Sequence, residues 1–204
     1  MTDINRAAKE RVRAIIRDRR SNLAPEIQAG CADTLSSYLN EFVSDELSLP
    51  LKEITVAAYM PCRGEISAVP FLRDVIKNNG KVLLPRVSGD DLVFCEVSDL
   101  DKELEEGTYG IKEPVEGLNE VDISKADVII VPAIAYNDEG ARLGQGGGFY
   151  DRLWQKLGGD SPDRKNVLIG ICYDFQIISS IPVDESDMVV DVLFQVETEG
   201  EEEQ

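Results

Sequence analysis

Residues 127–131 (DVIIV) and 167–172 (VLIGIC) carry no polar side chain after the first aspartate. A strand turns successive side chains to opposite faces, so a run without alternation must be covered on both faces. A mostly parallel sheet between two layers of helices meets that demand, and a sheet with one wet face does not. The rest of the chain agrees. Residues 54–60 (ITVAAYM) form a further short β-rich run, and residues 81–84 read as a strand stopped by Pro85. Residues 188–194 read as a last strand, and residues 92–97 as a strand outside the alternation, part of a hairpin. Helices are expected at 3–20, at 25–42 with Pro25 in its first turn, from a Ser67 cap to Asn78 before Gly80, and at 149–157. The expectation is one α/β domain over residues 1–196, an open Rossmann-like sheet with helices on both faces. An acidic tail, ETEGEEEQ, fills residues 197–204 and is too polar to fold. No internal repeat or interdomain linker interrupts this pattern.

One segment stands out chemically: residues 137–154 (NDEGARLGQGGGFYDRLW). Gly144, Gly146, Gly147 and Gly148 fill four of the five positions 144–148. Glycines let successive backbone N–H groups converge on a ligand, and a helix follows at Phe149 and Tyr150. Free N–H groups together with the helix dipole favour an anion. Arg142 supplies a fixed cation just before the loop. Asp151, just after it, suits magnesium, which takes one or two carboxylates and leaves its other positions to phosphate and water. A bare glycine cluster also turns corners without binding anything. The spacing matches neither G-x-x-x-x-G-K-[ST] nor G-x-G-x-x-G.

Composition removes whole classes of chemistry. Histidine is absent, which excludes Ser-His-Asp and Cys-His catalysis, H-E-x-x-H zinc sites and imidazole bases. The four cysteines, Cys31, Cys62, Cys95 and Cys172, form no C-x-x-C pair and read as buried, reduced thiols. The net charge of −18 repels nucleic acid and anionic membrane, so neither is an expected partner. The N-terminus has no apolar stretch of the signal-peptide kind, and no run approaches the ~20 apolar residues of a membrane span. The expectation is a cytoplasmic monomer whose anionic ligands need a local basic patch. The first helix offers one, with 7 of the 21 basic residues in the first 20 positions. Arg6, Lys9, Arg13, Arg17 and Arg20 share one side, beside Val12, Ile15, Ile16 and Leu23. Taken on the helix alone, a solvated face with i,i+4 pairing is the better explanation of such a stripe.

The string R-L-G-x-G-x-G-[FY]-Y-D, standing here as Arg142 to Asp151, resembles that of the 5-formyltetrahydrofolate cyclo-ligases, also called methenyltetrahydrofolate synthetases. The resemblance extends in order over residues 6–195. It implies ATP and 5-formyltetrahydrofolate as substrates, with 5,10-methenyltetrahydrofolate, ADP and phosphate as products. It implies that Lys9 and Arg13, at the K-x-x-x-R spacing, hold ATP phosphates together with Arg142, Leu143, Gly144, Gln145, Gly146, Gly147, Gly148, Phe149 and Tyr150. It assigns the folate to Met60, Glu65, Tyr109 and Tyr150, and Mg2+ to Asp151 and to Asp187 in the closing run 182–191. Taken without the resemblance, Glu65 and Asp187 are ordinary turn or capping acids and Tyr109 an ordinary aromatic. Gln145 departs from the tyrosine or arginine often found in its slot, and a histidine common near the last motif is missing. Two rival readings are a non-catalytic folate- or nucleotide-binding homologue and a sugar-phosphate isomerase on a similar sheet.

Overall fold

The two uninterrupted apolar runs lie side by side within one seven-stranded sheet. The computed structural model describes residues 3–159, 161–179, 181 and 188–198. Two long helices, α1 (Asp3–Ser21) and α2 (Pro25–Asp45), precede β1 (Thr55–Ala57), α3 (Val69–Lys77), β2 (Lys81–Ser88) and β3 (Asp91–Val97). Short strands follow: β4 (Leu104–Glu106), β5 (Lys112–Pro114) and β6 (Glu120–Val121), then β7 (Val128–Val131), β8 (Ala135–Tyr136) and β9 (Arg142–Leu143). The chain continues with α4 (Phe149–Lys156), β10 (Val167–Tyr173) and β11 (Val192–Val196). The main sheet has the order β11-β10-β7-β1-β2-β3-β6. Its first five strands are parallel, and β3 and β6 add antiparallel at one edge.

Alternation sorts the apolar runs into two cores. Val56 of β1, Val128 and Ile130 of β7, and Ile169 and Ile171 of β10 meet Leu35, Leu39, Phe71 and Leu72 of α2 and α3. Ala57, Ile129, Val131, Leu168 and Cys172 face the other way, against Leu153 and Trp154 of α4. Each such side chain contributes about 1.5–3 kcal/mol on full burial, which is why neither face of β7 or β10 can be polar. A third, small cluster of Ile16, Ile134, Ala135, Leu143 and Ile181 seats α1 on the β8–β9 hairpin.

Several expectations need correction. β2 does not stop at Pro85 but runs to Ser88. The Leu83 carbonyl accepts from Ala58 N (3.0 Å), so residues 83 and 85 turn their backbone polar groups toward β1. Since β1 has ended by that point, the N–H that proline lacks has no ladder partner to lose. The last strand begins at Val192, not Met188. Residues 188–190 instead run beside β9, where Val189 bridges Ala141 and the Met188 carbonyl accepts from Arg142 N. On α1 the buried positions are Lys9, Arg13, Ile16 and Arg20, whereas Ile15 is exposed. The basic stripe therefore turns inward. Glu197 and Thr198 still touch the fold, through the Cys31 thiol on the Glu197 carbonyl and the Thr198 hydroxyl on Asp174. The acidic residues beyond them lie outside the described residues.

Glycines give a test with two signs. A Cβ on Gly170 would stand 2.8 Å from the Tyr136 ring and 2.9 Å from Leu193. The Tyr136 hydroxyl donates to the Val131 carbonyl (2.8 Å), so that ring cannot retreat freely. Gly170→Ala should cost ~1–3 kcal/mol of stability. Gly30, exposed within α2, has nothing near its missing Cβ. Gly30→Ala should stabilise by ~0.4–1 kcal/mol. Denaturant midpoints of the two variants moving in the same direction would contradict this packing.

Candidate active site

The chain reverses its direction of sheet building between two neighbours. From β1 it proceeds outward to β2, and from β7 outward the other way to β10. Loops leaving the C-terminal ends of such strands part company and leave a crevice. Here residues 58–68 follow β1 and residues 132–148 follow β7, and the two loops wall a cleft of about 400 Å³. The first turn of α4 and the β4–β5 hairpin complete its rim.

The glycine loop forms one wall. Gly146 (φ 101°) and Gly148 (φ 71°) lie in the left-handed region, where a side chain is strained, and Gly148 is the N-cap of α4. Gly144 through Gly148, Phe149, Tyr150 and Asp151 all line the cleft. The start of α4 therefore faces the space where the sequence expects an anion.

Two buried arginines fasten the walls together. Arg142 Nη1 donates to the Pro132 carbonyl (2.9 Å) and Nη2 to Asp151 Oδ1 (2.7 Å). Its guanidinium also lies over the Tyr150 ring, 5.3 Å from the centroid. Arg20 Nη2 donates to the Ala133 carbonyl, and its Nη1 lies 3.5 Å from Glu65 Oε1. Both side chains of that second pair are nearly inaccessible, at 3% and 6% exposure. Removing one partner of such a pair leaves an uncompensated buried charge, at a cost of about 3–5 kcal/mol.

A third contact crosses the cleft. Arg17 Nη2 donates to Gln145 Oε1 (3.0 Å), and Gln145 Nε2 donates to Glu65 Oε1 (3.2 Å). The amide is oriented by a donor on one side and an acceptor on the other. Glu65 Oε2 also accepts from Cys62 N (3.2 Å) and from the Cys62 thiol (3.5 Å). Burial, and then the Glu65 charge, push that thiol up to about 11. Cys62 is therefore a neutral hydrogen-bond donor at neutral pH and not a nucleophile.

The cleft brings together Met60, Glu65, Tyr109, Arg142, residues 144–148, Phe149, Tyr150 and Asp151. Tyr109 stands at the rim, 68% exposed, with φ 62°. Arg13 reaches the glycine loop from behind: its Nε donates to the Gly144 carbonyl (2.9 Å) and its Nη1 to Glu10 (2.6 Å). Lys9 is buried one turn earlier on the same helix face and is not among the residues lining the cleft. Leu143 does not line it either, because its side chain packs with Ile16 and its carbonyl accepts from Ile134 N. Asp187 lies outside the described residues. Sequence reasoning gave no role to Arg17, Cys62 or Glu113, which line the cleft, or to Arg20, which sits behind it. Arg17 and Arg20 belong to the same basic stripe as Arg13, and that stripe is the signal that could have found them.

The state of Cys62 is open to measurement. With its acidity pushed from 9.0 to about 11, its thiolate fraction near pH 8 is on the order of a hundredfold below that of an exposed thiol. Iodoacetamide labelling followed by peptide mass mapping should find Cys62 correspondingly slow, and labelling at the rate of a free thiol would contradict the contact with Glu65.

Comparison with known proteins shows the family. A family model, the 5-formyltetrahydrofolate cyclo-ligase family, matches residues 5–195. The chain is 29% identical over 181 residues to the 5-formyltetrahydrofolate cyclo-ligase of Escherichia coli K12, covering 85% of this chain and 92% of that protein. It is 28% identical over 206 residues to the enzyme of that name from Saccharomyces cerevisiae, covering 92% of this chain and 94% of the other. The fold superimposes on the solved structure of Aquifex aeolicus 5,10-methenyltetrahydrofolate synthetase with a TM-score of 0.74 and 34% identity, covering 92% of this chain and 89% of that one. The chain therefore belongs to the 5-formyltetrahydrofolate cyclo-ligase family.

Proposed function

We infer that this cleft converts 5-formyltetrahydrofolate and ATP into 5,10-methenyltetrahydrofolate, ADP and phosphate. The observation that carries the reading is the sharing of one cleft by two unlike walls. The glycine loop and the start of α4 suit phosphates, whereas Met60, Tyr109 and Tyr150 offer apolar and aromatic surface beside the Glu65 carboxylate. A pterin has flat faces that pack on thioether and aromatic groups, and ring N–H groups that a carboxylate accepts.

The chemistry needs no protein nucleophile. The formyl oxygen attacks the γ-phosphorus and ADP leaves, giving a phosphorylated imidate. N10 of the same folate then closes on the activated carbon, its proton is lost, and phosphate departs. Nucleophile and electrophile both sit on ligands, so the protein contributes placement and charge. The amides of residues 144–148 receive the phosphates, and Lys9, Arg13, Arg17 and Arg142 supply positive charge around them. Glu65 orients the pterin, and Tyr109 and Tyr150 cover its ring.

Magnesium fits the donor set as a nucleotide-borne ion. Asp151 is one half-exposed carboxylate on the cleft wall, with Oδ1 already accepting from Arg142. Among the described residues no group of three acidic or sulfur ligands forms a protein-only cage. A magnesium ion takes most of its oxygens from phosphates and water, so Asp151 would hold it, with Asp187 as a second carboxylate. Bound there, it would neutralise phosphate charge.

With magnesium, ATP and 5-formyltetrahydrofolate, the purified protein should form methenyl product, followed by its absorbance, with one ADP per turnover. Binding of both ligands without product would support the non-catalytic homologue instead. Arg13→Ala should weaken ATP by ~1.5–3 kcal/mol, and Glu65→Gln should raise KM for the folate far more than for ATP. Equal effects of Glu65→Gln on both substrates would reduce Glu65 to a structural partner of Arg20. Asp151→Asn keeps an acceptor for Arg142 and removes the charge. It should raise the magnesium concentration for half-maximal rate, and an unchanged magnesium dependence would leave the metal to the nucleotide alone.

A further inference from the structure

Glu113 is a buried carboxylate, 7% exposed, that the cyclo-ligase chemistry does not use. It lines the cleft from β5. Its two oxygens accept backbone N–H groups from different elements: Oε1 from Thr108 (2.8 Å) and Oε2 from Val87 of β2 (3.1 Å). Among the described residues no Lys or Arg forms an ion pair with it. A buried carboxylate needs hydrogen-bond partners, and here two backbone donors from separate elements supply them, so the group links those elements.

What it holds is the turn that carries Tyr109. Residues 107–111 close the β4–β5 hairpin, with Gly107 N donating to the Ile111 carbonyl (2.8 Å). Tyr109 is a non-glycine residue at φ 62°, a conformation that persists only where its surroundings impose it. Its neighbour Thr108 is tied to Glu113, and Glu113 is tied to Val87 on the main sheet. The sequence makes room for this link: a Cβ on Gly107 would stand 2.4 Å from Glu113 Cδ. Gly107 is not in the left-handed region (φ −103°), so its need for glycine comes from the carboxylate beside it.

We propose that Glu113 is a positioning residue for the folate, clamping the β4–β5 turn to β2 so that the Tyr109 ring stands over the cleft. The proposal rests on the reading of Tyr109 as a folate contact. Without the clamp the hairpin keeps its own ladder and the Arg86 contact to the Val115 carbonyl at its base, but its turn is no longer tied to β2. Folate binding then suffers, whereas the glycine loop on the opposite wall is untouched.

The test is a double-mutant cycle read by direct titration of 5-formyltetrahydrofolate and, separately, of a non-hydrolysable ATP analogue. Glu113→Gln keeps one acceptor and replaces the other with a donor. It should weaken folate roughly threefold to tenfold and leave the ATP analogue within about twofold, a bound set by usual additivity errors. Gly107→Ala should reproduce that pattern with Glu113 intact. In a Tyr109→Ala background, Glu113→Gln should cause no further loss of folate affinity, because its effect passes through the ring. Additive losses would overturn the proposal and leave Tyr109 as a folate contact. Equal weakening of both ligands would reduce Glu113 to a fold-stabilising residue, and thermal unfolding of each variant identifies that case. If Tyr109→Ala leaves folate binding unchanged, the clamp has no ring to position and the proposal falls. Turnover of the wild-type protein is scored separately: tight folate binding without methenyl product would overturn the cyclo-ligase reading and leave the cycle fully readable.

Discussion

The cleft depends on how two carbonyls at the end of β7 are satisfied. Pro132 and Ala133 stand just beyond the last residue of that strand, outside its ladder pairs with β1 and β10. Each accepts from a buried arginine brought from elsewhere, Arg142 on β9 and Arg20 on α1. Each arginine then reaches a carboxylate on a cleft wall, Asp151 on α4 or Glu65 in the loop after β1. A guanidinium has five donors in a planar fork, so one side chain can cap a strand and fix an acid at once. The same contacts that end the strand set where the acidic groups stand. Fold and site are therefore not separable at this point: loosening either arginine moves a wall.

Elements that bury both faces are readable from the sequence, because their constraint is local. β7 and β10 carry it in every residue, and α4 announces itself by the glycines before it. The three- and two-residue strands β4, β5, β6, β8 and β9 carry no period, since two residues cannot alternate. They exist because of tertiary contacts. Pro85 misleads for a related reason: proline ends a strand only where its missing N–H faces a partner, and that depends on where β1 stops. The inward turn of the basic stripe on α1 is equally hidden. A helical wheel gives the stripe but not the acceptors, which are carbonyls and a carboxylate 45 or more positions away.

The site divides in the same way. Residues 142–151 form a contiguous string, and their chemistry is legible from neighbouring letters alone. Met60 and Glu65 follow β1 at its C-terminal end, where open α/β sheets bind ligands, and both line the cleft. Glu113 sits in an unremarkable KEP tripeptide, and its partners Val87 and Thr108 are visible only once the hairpin is docked. Gln145, a departure from its family's usual residue, is tied to Arg17 and Glu65. It joins the glycine-loop wall to the Glu65 wall through a neutral amide, where an arginine would bring a charge.

A chain with a net charge of −18 that takes two anionic substrates has an electrostatic problem. Its solution is spatial. Arg13, Arg20 and Arg142 are drawn under or into the cleft and buried, while most of the acids stay on the surface. Each is paired with one acid, Glu10, Glu65 or Asp151, so its effect is local, at a short range where salt screens a buried charge little. Arginine also brings a fixed cation with a planar fork of donors. That suits a reaction in which charge moves between two ligands and the enzyme has to hold a field. A histidine would introduce a group whose charge changes near neutral pH. The chain has none, and in the proposed reaction no step asks a protein side chain to change its charge.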